Sequence, residues 1–173
     1  MSNIKYKKGD VANSGIDGLK ILPHIVNTRG VMGAGVAYAI ATKWPRVENR
    51  YKKWRNEHYF WHFNKNGGPC SETYFELGEN QFTEAEEDLI VVNMLAQKLG
   101  TQFVNNQVVP PIRLWALKEC MMKIADFCRD IEEDFTITCP KFGSLRAGGN
   151  FDRDILPMIE KHWADFNVII FEY

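Results

Sequence analysis

The sequence predicts an α/β domain, a mixed sheet with helices on both faces. Three observations carry this reading. Apolar segments of strand length alternate with amphipathic segments of helix length. The run LIVVNML at 89–95 is continuously apolar, as in a strand buried on both faces. Two glycine-rich segments, NTRGVMGAG at 27–35 and FGSLRAGGN at 142–150, each follow an apolar strand and lead into a helix. With 173 residues, 45% of them hydrophobic, the chain has the size of one domain, 1–173, and can bury a substantial core.

Residues 4–8 (IKYKK) read as a short strand and 19–26 (LKILPHIV) as a more apolar one. Pro23 has no N–H to give a ladder, so it should mark a strand start, a bulge or an edge-facing position. Small and apolar residues at helical spacing follow over 35–44, and Pro45 opens a second, heavily charged helix expected to be superficial. SETYFELG at 71–78 alternates like a strand, TEAEED at 83–88 reads as an acidic loop, and 98–109 as a polar connection. In PIRLWALKECMMKIADFCRDI, residues Ile112, Leu114, Trp115, Leu117, Met121, Ile124 and Ala125 recur near a 3.6-residue period, predicting a long amphipathic helix. Trp115, Trp163, Met121 and Met122 are expected in the core. A strand at 135–140 (FTITCP), a helix at 152–163 and a last strand at 167–173 complete the chain, with no internal repeats and no linker.

Charge and cysteine usage narrow the function. A net charge of -1 and a pI of about 6.4 provide no global basic field for a nucleic-acid backbone, so an anionic ligand would depend on local backbone donors. Cys70, Cys120, Cys128 and Cys139 are scattered, without a CxxC pair or clustered histidines, and no bound metal is expected. The opening MSNIKYKKGD lacks the apolar stretch of a secretory signal, and no apolar run approaches the roughly 20 residues of a membrane span. A cytoplasmic protein with reduced thiols is the expectation.

The glycine loops are the places to look for chemistry. In open α/β sheets, strand ends, backbone N–H groups and helix N-termini converge there, and glycine lets a phosphate approach the backbone. Glycines that only make tight turns give the same pattern. Neither loop is GxGxxG or GxxxxGK[ST], which removes the main support for a dehydrogenase or a P-loop NTPase.

KGDV at 8–11, HIVNTRGVMGAGVAYAIATKWP at 24–45, VVNM at 91–94, PKFGSLRAGGNF at 140–151 and VIIFEY at 168–173 together resemble the macro-domain family, in its order and over essentially the whole chain. Within that family the sequence is most similar to the ADP-ribose 1″-phosphate phosphatase branch. The resemblance implies a three-layer α/β/α fold with a mixed six-stranded sheet, the last strand beside the first. It implies binding of ADP-ribose or its 1″-phosphate, without membrane association, and with nucleic acid only as an ADP-ribosylated substrate; a monomer is expected. The implied reaction is release of the terminal phosphate.

The resemblance also assigns residues. Asp10 would accept from the adenine amino group, with the backbone of Val11 beside it, and Phe171 would stack on adenine. Asn27 would orient the distal ribose, lined by Gly33, Ala34, Gly35 and Val36. Gly143, Ser144, Leu145, Arg146, Ala147, Gly148, Gly149 and Asn150 would wrap the diphosphate, with Phe151 near the ribose. His24 would do the proton or phosphoryl chemistry, since an imidazole titrates near neutrality. The bland readings stand beside these: a turn pair for Gly9–Asp10, a core ring for Phe171, a solvated Arg146, and for His24 a hydrogen-bonded histidine within the sheet. Related glycohydrolases use a lysine after the fourth strand and, in part, an Asp in the diphosphate loop; here Gln97 followed by Lys98, and Ala147, occupy those places, which disfavours that activity. Asp152 reads as a helix cap.

Overall fold

In LIVVNMLAQ every second residue serves one face, and both faces are apolar. Such a strand finds enough partners only inside a sheet covered on both sides. The computed structural model describes residues 3–63, 65–73 and 75–173, with the side chains of all but 59–63, 69–73 and 145. In it this strand, β6 (Leu89–Gln97), lies between β2 (Leu19–Asn27) and β5 (Asn80–Glu86). The six-stranded sheet runs β1-β10-β9-β2-β6-β5, with β1 at Ile4–Lys8, β9 at Phe135–Pro140 and β10 at Val168–Glu172. The last strand pairs with the first, and only β5 runs antiparallel to its neighbour, as expected for a mixed sheet.

Helices cover both faces. On one side α1 (Gly35–Lys43) and α2 (Pro45–Glu57) pack with Leu22, Val26, Val91, Leu95 and Phe171. On the other, α3 (Leu114–Arg129) and α4 (Leu156–His162) pack with Ile21, Val92, Met94, Ile137 and Ile170. Trp163, fully buried just past α4, ties these two helices together through an indole N–H donated to the Met121 carbonyl at 3.0 Å. Two hairpins lie outside the sheet: β3 (Tyr59–Phe63) with β4 (Pro69–Thr73), and β7 (Gln102–Val104) with β8 (Gln107–Val109). Among the described residues no helix is long and apolar enough to cross a membrane.

Several expectations are corrected. TEAE belongs to β5, an edge strand that buries Thr83 and turns Glu84 and Glu86 outward, so its charges sit where an edge tolerates them. The alternating segment 71–78 is a strand only to Thr73, and Tyr74 lies outside the described residues. The connection 98–109 holds a hairpin whose Asn105 and Asn106 both take positive φ, 50° and 61°, as a tight two-residue turn demands. Pro23 sits mid-strand, yet the ladder from β2 to β9 ends at Ile21, leaving an open side for a residue without an N–H. The charged helix α2 is not merely superficial, because Val47 and Tyr51 are fully buried.

Trp115 and Met122 are exposed, not core: α3 buries the stripe Leu117, Cys120, Met121, Ile124 and Cys128, and residues 115 and 122, seven apart, share the opposite side. Asp152 is not the cap. Asn150 takes that place and accepts from Arg153 N at 2.9 Å, opening a π-helical turn over Phe151–Ile155. Trp163→Ala should therefore destabilise the fold by about 3–5 kcal/mol, while Trp115→Ala should stay within about 0.5 kcal/mol; urea unfolding of both variants checks the pair.

Candidate functional site

The C-terminal ends of the parallel strands β2 and β9 release the two glycine loops from the same edge of the sheet. At the end of β2 the pairing with β6 slips between Val26 and Asn27, and the Asn27 side chain organises the loop that follows. Its Oδ1 accepts from Arg29 N at 2.9 Å and Val31 N at 3.4 Å, and its Nδ2 donates to the Val31 carbonyl at 2.8 Å. The buried Tyr51 hydroxyl accepts from Gly30 N at 3.1 Å and donates to Asn27, its carbonyl being the nearer acceptor and Oδ1 lying at 3.1 Å. Burial pushes the Tyr51 phenol well above its ordinary pKa, so the proton stays in place for this bond. Gly33, Ala34 and Gly35 are exposed and Val36 half-buried; Ala34 gives α1 no side-chain cap, leaving its first-turn N–H groups for an outside acceptor.

The second loop is held by its own backbone. Gly149 N donates to the Gly143 carbonyl at 2.8 Å, Ala147 N to the Ser144 carbonyl at 3.2 Å, and the Ser144 hydroxyl to the Lys141 carbonyl at 2.9 Å. Gly143 has φ +77°, and a Cβ there would stand 2.5 Å from Ile155 and 2.6 Å from Ile112; a Cβ on Gly149 would run into the Gly143 carbonyl. Glycine is therefore demanded at both positions. Leu145, Arg146 and Ala147 form a single 3₁₀ turn, with Arg146 and Gly148 exposed and Ala147 buried. Asn150 caps the next helix, and Phe151 is buried edge-to-face against Phe142 with the Lys141 ammonium 5.7 Å from its ring.

At the β1 end, Asp10 caps the turn Val11–Asn13: its carboxylate accepts from Ala12 N and from Asn13 Nδ2, each at 2.9 Å. Val11 is buried. Phe171 is 3% exposed and belongs to the apolar cluster that also holds Ile40 and Ala41 of α1. The exposed aromatic there is Tyr173, missed from the sequence, whose hydroxyl lies 3.3 Å from Asp10 Oδ1.

His24 also departs from expectation. It is 1% exposed, three residues short of the end of β2, with Nε2 2.6 Å from Asn93 Oδ1 on β6 and Nδ1 without a partner among the described residues. Asn93 Nδ2 donates to Gln81 Oε1 at 3.1 Å, and Gln81 Nε2 to the Arg50 carbonyl at 2.9 Å. Burial lowers the His24 pKa to about 4, so the imidazole is neutral at pH 7 and Nε2 carries the proton it gives to Asn93. Burial raises the thiols of Cys120 and Cys128 to about 12 and that of Cys139 further still, which leaves none of the three a thiolate. Among the described residues no group of three or more His, Cys, Asp or Glu side chains could hold a metal ion.

Asn27, the residues around it and the 143–150 loop thus gather at one edge, with Asp10 beyond them, while His24 and Phe171 remain inside. Gln97 pairs in register with Asn27 and its carbonyl accepts from Thr28 N; Lys98 follows, half-buried. A cavity of about 370 Å³ lies against the first loop, lined by Gly30, Val31, Met32, Gly33, Tyr38 and Lys52 among others. Another of about 200 Å³ lies under the Val11–Ile16 segment, beside Lys20, Lys43 and Thr138.

No protein-family model and no curated protein matches the chain. Solved structures do. A Bacteroides thetaiotaomicron protein superposes with a TM-score of 0.81 at 26% identity, over 98% of this chain and 99% of that one. A macrodomain protein from Streptomyces coelicolor gives 0.73 at 24% identity, over 98% and 99%. Thermosipho africanus DarTG, solved in complex with ADP-ribose, gives 0.65 at 15% identity, over 96% of this chain and 41% of that one.

The buried histidine makes stability depend on pH. Unfolded His24 titrates near 6.5 and folded His24 near 4, so below pH 6.5 the unfolded chain takes up a proton that the folded chain refuses. Stability should fall by roughly 3 kcal/mol between pH 7 and pH 4 from this group alone, and urea unfolding of His24→Gln should show that part of the pH dependence removed.

Proposed function

Starting from a chain that has the macro-domain fold, we propose that it binds ADP-ribose or a 1″-derivative in the crevice between residues 27–36 and 143–150. One observation carries the reading: two glycine loops, one opening the uncapped N-terminus of α1, leave the ends of parallel strands on one edge of the sheet. That arrangement offers backbone donors to a diphosphate and a ribose without a bulk positive field. Asp10 lies at the β1 end, where a carboxylate can accept from an exocyclic amino group, and the exposed Tyr173 has its hydroxyl 3.3 Å from Asp10 Oδ1. The DarTG complex with ADP-ribose on the same fold supports the choice of ligand.

The finer reading is removal of the terminal phosphate from ADP-ribose 1″-phosphate. Clamping of the diphosphate and distal ribose would supply positioning and charge stabilisation. His24, the group the resemblance assigns to proton transfer, has Nε2 engaged with Asn93 inside the sheet and would act through Nδ1. Recognition is the part of the function that the geometry supports best.

Calorimetry with ADP-ribose, AMP and NAD, together with phosphate release from ADP-ribose 1″-phosphate, tests both parts. ADP-ribose should bind one to one and in preference to AMP and NAD, and His24→Gln should bind it as the wild type does. Equal binding of AMP and NAD would remove the ADP-ribose reading. Phosphate release that vanishes in a folded, binding-competent His24→Gln would restore His24 as the catalytic group.

A further inference from the structure

Asn27 could meet a ligand with either end of its amide, since the carbonyl accepts and the NH₂ donates. The structure leaves it no such choice. Arg29 N and Val31 N both point donors at one atom, which must be Oδ1; rotating the amide would set N–H against N–H and strip Val31 of its acceptor role. The Tyr51 hydroxyl lies 3.1 Å from that same Oδ1, bonds the Asn27 carbonyl, and receives Gly30 N. Oδ1 thereby faces two backbone donors, Val31 takes one of the two N–H groups of Nδ2, and the hydroxyl, its one proton committed to the Asn27 carbonyl, holds residue 27 and Gly30 in the turn that aims those donors.

We propose that Tyr51 is a positioning residue that locks Asn27 as a donor, with its second Nδ2 proton kept for an acceptor oxygen of the ligand. The inference rests on the reading of the crevice as an ADP-ribose site and adds its selectivity: at Asn27 the ligand must present an acceptor, such as a hydroxyl or phosphate oxygen. Tyr51 can do this from 24 residues away because α2 buries its ring completely against Phe75, 6.3 Å between centroids, and so delivers the hydroxyl rigidly under the first loop.

The test is a double-variant cycle on ADP-ribose affinity with Tyr51→Phe, Asn27→Ala and both together. Val47→Ala, which loosens the same helix from its fully buried side without touching the hydroxyl, is the packing control. Tyr51→Phe should weaken binding on the order of tenfold, the value of one hydrogen bond, and should weaken it markedly less once Asn27 is alanine, where only the hydroxyl's main-chain bonds to residue 27 and Gly30 are left to lose. Val47→Ala should lower the thermal midpoint and leave affinity unchanged.

Equal weakening by Tyr51→Phe in both backgrounds, or an equal loss in Val47→Ala, would overturn the proposal. Side-chain amide resonances of Asn27 in the free protein provide a readout that needs no ligand: the two Nδ2 proton shifts should be spread apart by the bond to Val31 in the wild type and draw toward those of an ordinary solvated asparagine in Tyr51→Phe. A wild type that binds no ADP-ribose defeats the ligand reading on its own, and the Tyr51 lock is then decided by these resonances, unchanged values in Tyr51→Phe overturning it.

Discussion

The parallel pairing of β2 with β6 and β9 is the constraint on which the rest of the structure depends. Parallel neighbours end on the same side, so the segments that leave them must start together, and they must cross a face of the sheet before the next strand begins. Here this places the 27–36 and 143–150 loops on one edge and commits α1 and α2 to one face and α3 and α4 to the other. The hairpin β7–β8 is rooted at the same edge, with Ile112 N donating to the Ala147 carbonyl and Lys98 N to the Pro111 carbonyl.

Polar groups under the first loop are handled by α2. Tyr51 reaches Asn27 from that helix, and the Arg50 carbonyl ends the chain His24, Asn93, Gln81 that crosses three strands. Each member gives or takes a hydrogen bond to the next, which keeps an otherwise expensive set of polar side chains inside an apolar layer. A neutral histidine fits that duty, since a charged one would have to be desolvated.

Much of this was legible in the sequence where periodicity has one meaning. The buried run of β6, the long helix α3 and both strand–glycine–helix junctions read directly from residue spacing. Legibility failed where one signal serves two ends. An acidic stretch serves a loop or a solvated edge strand, and β5 is the latter. A Trp near a helical period can fall just off the buried stripe, as Trp115 does. His24 and Phe171 lie on strands covered on both sides and are buried; Asn27, the last residue of β2, is buried as well but turns its amide into the loop that follows, and Tyr173, past the end of β10, is exposed. Tyr51 left no signature, because its partner is 24 residues away and the link is a single hydroxyl.

Whether both glycine loops bind one ligand is decided by amide chemical-shift perturbation on adding ADP-ribose. The largest shifts should fall on the backbone N–H groups of Gly33–Val36 and Gly143–Asn150, with Val11 and Asn27 moving alongside. Shifts confined to one loop, or centred on the Lys20 and Lys43 cavity, would contradict a shared ligand.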